Sequence, residues 1–425
     1  MTDRHWRPGM VVILLIAAAV RLSYVVFVVG DDLAAGDAIY YSAQADTIAA
    51  GGGFSHPFED EPAADHPPMT ALLLAPVSVG AGDPLFEQRL LMAAIGTLAV
   101  GAIALLGREI GGRRGGLIAG GIAAVYPGLW INDGLAMSET PTALLTALVL
   151  LVAIRWRRDQ APGWLLGILG GLLVLTRAEL GLLMAALVLP WGLSGAWLDR
   201  VRRIALVALV AVLVVAPWTV RNLIRFEEPV AVSTNDGLTL VGANCDPSYF
   251  DAVGFWYLQC GLPEPAGDQS EVSAAYREQA LEYVGDHLDR VPTVAAARAA
   301  RVWSVWETDA MTYLNRGEGR PQPASVMALY GWWLLAPAAA ASLWSIHRRR
   351  GPLLVLVAPF VTVTIVAVLT YGIPRFRLPA EVAAIGALAV LGRIRVRHRH
   401  SSNDEVSGDE EVGGVAIGTT TGDWS

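Results

Sequence analysis

The sequence contains no lysine, so all 31 of its basic residues are arginine. It also has little charge of either sign: charged residues make up 16% of the 425 residues, and hydrophobic residues make up 54%. This scarcity of charge excludes most soluble folds and is typical of a polytopic membrane protein. The net charge of −8, without a basic stripe interleaved with aromatic residues, argues against a nucleic-acid partner.

The chain has only two cysteines, Cys245 and Cys260, which lie in one segment. The arginine pattern described next places that segment outside the cytoplasm, where oxidation is permitted. We therefore expect a disulfide that closes a loop and contributes about 3 kcal/mol in the chain-entropy account. Two unpaired, buried thiols are the alternative.

Six arginine clusters divide the chain, and each lies beside a long apolar stretch. They are Arg4/Arg7, Arg108/Arg113/Arg114, Arg155/Arg157/Arg158, Arg200/Arg202/Arg203, Arg348/Arg349/Arg350 and Arg393/Arg395/Arg397/Arg399. Short loops rich in arginine stay in the cytoplasm, so the chain must cross the membrane an even number of times between successive clusters. Five segments are then predicted outside: the loop with Asp37 and Asp65, the Ser138/Glu139 turn, the Arg177/Glu179 turn, residues 221–325 and the Arg375/Arg377 turn.

Ten apolar stretches approach the length of about 20 residues that a membrane-spanning helix needs. They are residues 10–30, 88–107, 115–131, 140–154, 164–175, 180–197, 204–220, 326–346, 353–371 and 378–391. The first is interpreted as an uncleaved span, because no small-residue cleavage site follows it. Both termini are then inside. Residues 69–80 are too short to span and contain Pro76, which predicts an interfacial or re-entrant helix.

The predicted fold class is an all-α polytopic membrane protein, with about ten transmembrane helices and a small extracytoplasmic α+β cap between the seventh and eighth spans. Residues 1–220 form a transmembrane core whose first outer loop covers 31–87. Residues 221–325 form the cap, with extended and turn-like sequence at 229–237 and helical periodicity at 271–289 and 293–307. Residues 326–397 form the last transmembrane helices, and the polar residues 398–425 form a disordered cytoplasmic tail.

The first outer loop contains GDAIYY at 36–41, GGG at 51–53 and DHPP at 65–68. This order resembles the first loop of the GT-C glycosyltransferases, in particular the protein O-mannosyltransferase-like group (family 39) that includes the lipid A aminoarabinose transferases. The segments at 111–116, 126–127, 138–141 and 176–179 extend the resemblance over the first half of the chain. The segment YGIPRFRLP at 371–379 resembles the group's actinobacterial members.

The resemblance implies transfer of a sugar from a polyprenyl-phosphate donor to an acceptor hydroxyl outside the membrane, with Asp37 as general base. The sequence departs from the group at two positions. Ala38 replaces the second acidic residue that many members carry, and His66 stands where a lysine often precedes the paired prolines. These changes leave the identity of the donor and of the acceptor open.

The residue types independently support this chemistry. A hydroxyl that attacks a sugar needs a carboxylate such as Asp37 to take its proton. The departing phosphate gains negative charge, which the fork of an arginine stabilises with two hydrogen bonds. The predicted donor-phosphate contacts are Arg177, Arg221, Arg375 and Arg377, and the predicted acceptor or substrate contacts are Tyr40, Asp65, His66 and Glu139.

Each of these residues has a structural alternative. Asp37 is otherwise a solvated loop carboxylate or a helix cap, and Arg375 with Arg377 anchors a span against lipid headgroups. Arg177 with Glu179 is otherwise an ion pair at a hairpin tip. A divalent cation stays open as a cofactor, because the adjacent Asp65 and His66 alone do not define a metal site.

The sequence thus predicts an inverting, integral-membrane glycosyltransferase in the cell membrane, with its site on the extracytoplasmic side. Its partners would be a polyprenyl-phosphate sugar, membrane lipids and an envelope acceptor that is a lipid, a polysaccharide or a protein. The main alternative is a non-enzymatic transporter or flippase of lipid-linked saccharides. A catalytically lapsed scaffold is a third. A nucleotide-sugar enzyme is disfavoured, because no dinucleotide-binding fingerprint is present.

Overall fold

Apolar helices dominate the chain in a computed structural model that describes residues 3–29, 36–59, 61–80, 82–190 and 197–393. No sheet forms within these ranges, where the only β-bridge pairs Ser55 with Pro62. The α-helices are α1 (Asp3–Phe27), α2 (Asp37–Ala49), α3 (Met69–Ser78), α4 (Pro84–Val125), α5 (Pro127–Trp130), α6 (Glu139–Trp156), α7 (Gly163–Thr176), α8 (Gly181–Val188), α9 (Trp197–Arg225), α10 (Asn235–Ala243), α11 (Gln269–Asp286), α12 (Val291–Val302), α13 (Thr308–Gly317), α14 (Gln322–Arg348), α15 (Leu353–Leu369) and α16 (Leu378–Leu388).

The chain reverses direction within α4, at Gly112. This glycine has φ 68° and ψ −168°, which interrupts the helix. A Cβ atom placed on Gly120 would lie 2.8 Å from the Cβ of Ala104, whereas two residues sixteen apart in a straight helix are separated by about 24 Å. The element is therefore an antiparallel helical hairpin with Arg113 and Arg114 at its turn, as the separate spans at 88–107 and 115–131 predict.

Three of the arginine clusters meet at one end of the helical bundle. Glu109 accepts hydrogen bonds from Arg155 at 2.9 Å and from Arg158 at 2.8 Å, and Arg203 pairs with Asp159. These contacts join the turn of α4, the end of α6 and the start of α9.

The acidic and basic residues predicted on the outer side lie away from these clusters. Glu139 is the first residue of α6 and Arg155 lies in its last turn, so the helix separates them by about 24 Å. The bundle thus has one end where three arginine clusters meet and an opposite end where acidic and basic residues are mixed.

The chain is a multi-pass membrane protein, and the described parts of the predicted spans are mostly helical. By length and composition, five helices of the described chain can cross a membrane: Trp6–Phe27, Pro84–Val125, Glu139–Trp156, Trp197–Arg225 and Gln322–Arg348. The other apolar helices are shorter, and the predicted span at 180–197 includes residues 191–196, which lie outside the described ranges. The number of ten crossings therefore stays a prediction.

The strands expected in residues 221–325 are absent, so the α+β description of this segment is wrong. Side chains of α9 take the carbonyl groups that a sheet would use: Trp218 donates to the carbonyl of Val232 and Thr219 to that of Ala231, each at 2.7 Å. Asn235, expected in a turn, begins α10. The two helices expected in the second half of the segment are present as α11 and α12.

Cys245 and Cys260 are bonded to each other, with their Cα atoms 6.2 Å apart. The bond links the end of α10 to the helical turn Leu258–Gly261. The tail expected at 398–425 lies outside the described residues.

Candidate active site

A cavity of about 650 Å³ lies at the end of the bundle opposite the arginine clusters. Residues of the first loop, the turn after α7, the segment 229–239, α11 and the turn after α15 line it. Its charged lining residues are Asp37, Glu179, Asp236, Arg177, Arg277 and Arg375, with His66 beside them. We call this space the main cavity.

Asp37 stands on the wall of the main cavity as the first residue of α2. The preceding Gly36 has φ 72°, a left-handed conformation that glycine adopts without strain. The carboxylate of Asp37 is 32% exposed and accepts a hydrogen bond of 2.9 Å from Nη1 of Arg375. Nε2 of His66 lies 3.8 Å from its other oxygen. Asp37 is thus the partly exposed carboxylate that a general base requires.

The charges around Asp37 determine its protonation. Burial by itself would raise the pKa of this carboxyl group, but Arg375 and His66 outweigh it and hold the pKa well below its usual range. Asp37 is therefore ionised at neutral pH. A carboxylate with so low a pKa is also a weak base.

Arg375 lies in the helical turn Pro374–Arg377 between α15 and α16. Besides its bond to Asp37, it donates to the hydroxyl of Tyr371 at 3.3 Å. Glu318 lies 3.5 Å from its Nε, and Glu139 lies 3.8 Å from its Nη1. The Nε–H group makes no hydrogen bond to any described residue, so this guanidinium retains a donor that it does not use.

Glu139 is a counter-charge shared by three arginines beneath the cavity. Its side chain is 1% exposed, and its Oε1 lies 3.3 Å from Arg177, 3.7 Å from Arg320 and 3.8 Å from Arg375. Arg177 also pairs with Glu179 at 2.6 Å. Because Glu139 is enclosed by guanidinium groups, it fits a positioning role better than the substrate contact predicted from the sequence.

Arg377 points away from the main cavity, although it is only two residues from Arg375. It is 3% exposed, donates to Glu381 at 2.6 Å and to Ser304, and stacks over Trp332. On its other side it lines a second, narrower cavity between α13, α14 and α16. Its contacts are those of a buried structural ion pair.

Arg221 holds the first outer loop against α9. It donates to the carbonyl of Ala63 at 2.9 Å and to that of Phe54 at 2.6 Å, and its guanidinium lies over Trp218. It is not among the residues that line the main cavity in the described chain. The structure therefore gives Arg221 a role in fixing the loop rather than contact with the cavity.

Asp65 and Tyr40 lie behind the cavity wall. Asp65 accepts a hydrogen bond of 3.0 Å from Gln269, which ties the first loop to α11. The hydroxyl of Tyr40 donates to Gln44 at 3.3 Å. The next residue, Tyr41, faces the cavity and stacks on His66 with ring centroids 4.7 Å apart.

Three residues that the sequence reasoning did not select contribute to the site: Tyr41, Glu318 and Arg320. Arg320 pairs with Glu318 as well as with Glu139. A signal for Arg320 was present, because it lies six residues before the predicted span at 326–346, and the other selected arginines also lie near span ends. Tyr41 and Glu318 carry no comparable signal.

The carboxylates of this site face arginines rather than one another. Within the described residues, no group of three or more His, Cys, Asp or Glu side chains is arranged to hold a metal ion. Among the described residues, no such cluster is present for the divalent cation that the sequence left open.

Part of the chain matches a known protein family. Residues 65–220 match the family described as dolichyl-phosphate-mannose-protein mannosyltransferase. No curated protein matches the sequence. The matched region contains Glu139 and Arg177 but begins after Asp37 and ends before Arg221.

The fold is similar to that of solved membrane glycosyltransferases. The apo oligosaccharyltransferase of Archaeoglobus fulgidus aligns with a TM-score of 0.55 and 16% identity, over 92% of this chain and 50% of that one. The same enzyme tethered to an acceptor peptide with the NVT sequon gives a TM-score of 0.52 and 16% identity, over 89% and 49%. ArnT from Cupriavidus metallidurans bound to undecaprenyl phosphate gives 0.40 and 17% identity, over 92% and 79%.

The protein is a polytopic membrane protein with the GT-C fold. Residues 65–220, fewer than half of the 425 in the sequence, match the dolichyl-phosphate-mannose-protein mannosyltransferase family. The resemblance named from the sequence is confirmed at this level. The chain spans about half the length of the archaeal oligosaccharyltransferase.

Proposed function

We propose that the protein transfers a sugar from a polyprenyl-phosphate donor to an acceptor hydroxyl on the extracytoplasmic face of the membrane, with inversion at the anomeric carbon. One observation carries the proposal. The partly exposed carboxylate of Asp37 lies against the guanidinium of Arg375 on the wall of a cavity large enough for a sugar and its acceptor.

In this reaction Asp37 takes the proton of the acceptor hydroxyl. The oxygen of that hydroxyl forms a bond to the anomeric carbon, while the bond from that carbon to the phosphate oxygen breaks. The electron pair of the broken bond stays on the phosphate, so the leaving group is the polyprenyl phosphate. A single displacement of this kind needs one base and a fixed cation at the leaving group.

Arg375 and Arg177 supply the positive charge for the phosphate. Both line the main cavity, and both also border a small pocket of about 10 Å³ whose lining includes Leu180, Val363 and Val366. A phosphate with an apolar tail matches guanidinium groups that lie beside aliphatic side chains, and these side chains would have to move to admit the tail. The description of the matched family, which names a dolichyl-phosphate-linked sugar, supports the same class of donor.

The remaining selected residues support these contacts. We assign Arg377 to the buried pair with Glu381 and Arg221 to the anchoring of the first loop. Glu139 holds Arg177 and Arg375 in place from below. His66 stays a candidate for contact with the substrate, since it borders Asp37 and lines the cavity.

The arginine clusters support an extracytoplasmic site. Three of them meet at one end of the bundle, and loops rich in arginine remain in the cytoplasm. The main cavity lies at the opposite end, and it would therefore open on the outer side, where lipid-linked sugars replace nucleotide sugars as donors.

A transfer assay tests the proposal. Purified protein in nanodiscs would be mixed with a panel of radiolabelled polyprenyl-phosphate sugars and envelope extract. Label that moves to an acceptor, with release of polyprenyl phosphate, supports the enzyme. If the label stays on its lipid, and the protein accelerates the movement of the labelled lipid between the leaflets of proteoliposomes, the result contradicts the enzyme and supports the flippase.

A further inference from the structure

One hydrogen bond joins the candidate base to the candidate phosphate ligand. Nη1 of Arg375 donates to Oδ2 of Asp37 at 2.9 Å. While this pair is intact, Asp37 is held as a weak base and Arg375 has its charge satisfied. Without donor, the pair is therefore poorly suited to the role of Asp37 as a base and to the role of Arg375 as a phosphate ligand.

We propose that the donor phosphate displaces Asp37 from Arg375, so that the base is released only when the donor is bound. This inference rests on the proposed function and adds an order to it. The donor binds before the acceptor hydroxyl can lose its proton, because the free enzyme keeps its base paired.

The exposure of the three carboxylates around Arg375 indicates which of them yields. Asp37 is 32% exposed and Glu318 is 31% exposed, whereas Glu139 is 1% exposed and enclosed. Glu139 therefore cannot leave, and it keeps the guanidinium in place when another partner departs. Asp37 faces the main cavity, from which the phosphate arrives.

Arg375 is better prepared than Arg177 to accept a new partner. Arg177 uses its Nε in a bond to Glu179 and its Nη1 in a bond to Glu139. The Nε of Arg375 makes no hydrogen bond within the described part of the chain and faces only Glu318, at 3.5 Å. A phosphate presents several acceptor oxygens to the guanidinium fork, so it competes well with a single carboxylate oxygen.

Release changes the chemistry of Asp37 in the required direction. Once the phosphate occupies Arg375, the carboxylate loses the hydrogen bond and part of the positive field that keep it ionised. Its affinity for a proton then rises, which makes it a stronger base at the moment when the acceptor has to be deprotonated. An acceptor that arrives without donor meets a paired carboxylate, so it is not deprotonated before the donor is in place.

A double-mutant cycle on undecaprenyl phosphate binding, in nanodiscs at pH 7.5, tests the inference. The variants are Asp37→Asn, Arg375→Gln and the combination of both. We expect Asp37→Asn to bind the lipid phosphate about tenfold more tightly than the wild type, since it removes the competitor for Arg375, which corresponds to about 1.4 kcal/mol. In the Arg375→Gln background the same substitution should change the affinity less than about twofold.

One control separates this coupling from a general effect of charge, and one further variant is held in reserve. Asp236→Asn removes a carboxylate from the far wall of the same cavity, where it pairs with Arg277, and should tighten binding much less. If Arg375→Gln does not fold, Arg375→Lys replaces it, because it retains a charge for Glu139 but lacks the fork.

The outcomes distinguish the inference from the function on which it rests. Equal affinity of Asp37→Asn and wild type overturns the release of the base, and so does tightening that persists without the guanidinium of Arg375. In either case transfer by the wild type leaves the proposed function intact. Failure of the wild type to bind undecaprenyl phosphate, together with no transfer, overturns both.

Discussion

The carboxylate of Asp37 accepts a hydrogen bond from Arg375, a residue 338 positions further along the chain. The bond connects the start of α2 to the turn between α15 and α16, and both residues line the main cavity. It places a candidate base beside a candidate phosphate ligand. The same contact explains why the pKa of Asp37 is low when no donor is bound, and why the phosphate must replace Asp37 at Arg375 in order to bind there.

The pH dependence of transfer should differ between the two substrates. The depressed pKa keeps Asp37 ionised, and activity is lost only when acid protonates it. The acid limb of kcat/KM for the donor, which reports the free enzyme, should therefore lie below about pH 4. The limb of kcat/KM for the acceptor at saturating donor should lie at higher pH, because the phosphate then occupies Arg375.

Other charged and titratable groups face Asp37, so the assignment of this limb needs a control. They are Arg375, His66, Arg177, Tyr41, Tyr371 and Glu139. The difference between the two profiles should persist in His66→Gln, which lacks the imidazole. Superimposable profiles in the wild type would contradict the release of Asp37 by the donor.

Arg375→Ala and Arg377→Ala should fail in different ways. The first should fold and bind undecaprenyl phosphate more weakly, since it loses a cation at the cavity wall. The second leaves Glu381 buried without its partner, which costs about 3–5 kcal/mol in the free energy of unfolding. Thermal unfolding and lipid-phosphate binding, measured on both variants, check this.

A double variant tests the structural role of Arg377 directly. Arg377→Met combined with Glu381→Leu removes both charges of the buried pair and should regain much of the lost stability. If Arg377→Ala instead unfolds at the wild-type temperature and binds the lipid phosphate weakly, Arg377 is a donor contact after all.

Arg221→Ala should loosen the first outer loop. The substitution removes the donors to the carbonyls of Phe54 and Ala63, and hydrogen bonds from charged groups each contribute about 1.5–3 kcal/mol. Hydrogen–deuterium exchange should accelerate at residues 54–64, while undecaprenyl phosphate affinity should stay within about twofold of the wild type. If hydrogen–deuterium exchange is unchanged and undecaprenyl phosphate binds more weakly, Arg221 contacts the donor phosphate instead of anchoring the loop.

Cys245 and Cys260 should resist alkylation in the absence of reductant. Replacing both with serine removes the constraint on the loop between them and should lower the free energy of unfolding of this segment by about 3 kcal/mol. Nonreducing peptide mass spectrometry reads the bond itself. Alkylation of both thiols before reduction would show that the bond does not form.

The helices could be predicted from the sequence because the length and apolar content of a span are local properties. The turn at Gly112 also followed, since Arg113 and Arg114 mark a loop between two apolar stretches. The strands of the 221–325 segment could not be excluded in advance. At residues 231 and 232 the carbonyl groups accept hydrogen bonds from Thr219 and Trp218 of α9, contacts with another helix that the local pattern does not reveal.

The sequence predicted which loop contains the candidate site, but it did not predict which individual residues of that loop face the cavity. The motif around Asp37 led to its selection, and the structure brings it together with His66 and Arg375. Neighbouring positions could not be told apart. Tyr40 and Tyr41 differ by one step of about 100° around α2, and which of them faces the cavity depends on the packing of the whole bundle.

The most direct test of the account is the rate of a single turnover of sugar transfer at saturating polyprenyl-phosphate sugar, for the wild type and Asp37→Asn in nanodiscs. Asp159→Asn is a matched control, since it removes a carboxylate from the pair with Arg203 at the opposite end of the bundle. We predict that Asp37→Asn is slower by at least about 100-fold while it still binds undecaprenyl phosphate, and that Asp159→Asn matches the wild type. Equal rates in the wild type and Asp37→Asn would contradict the assignment of Asp37 as the base.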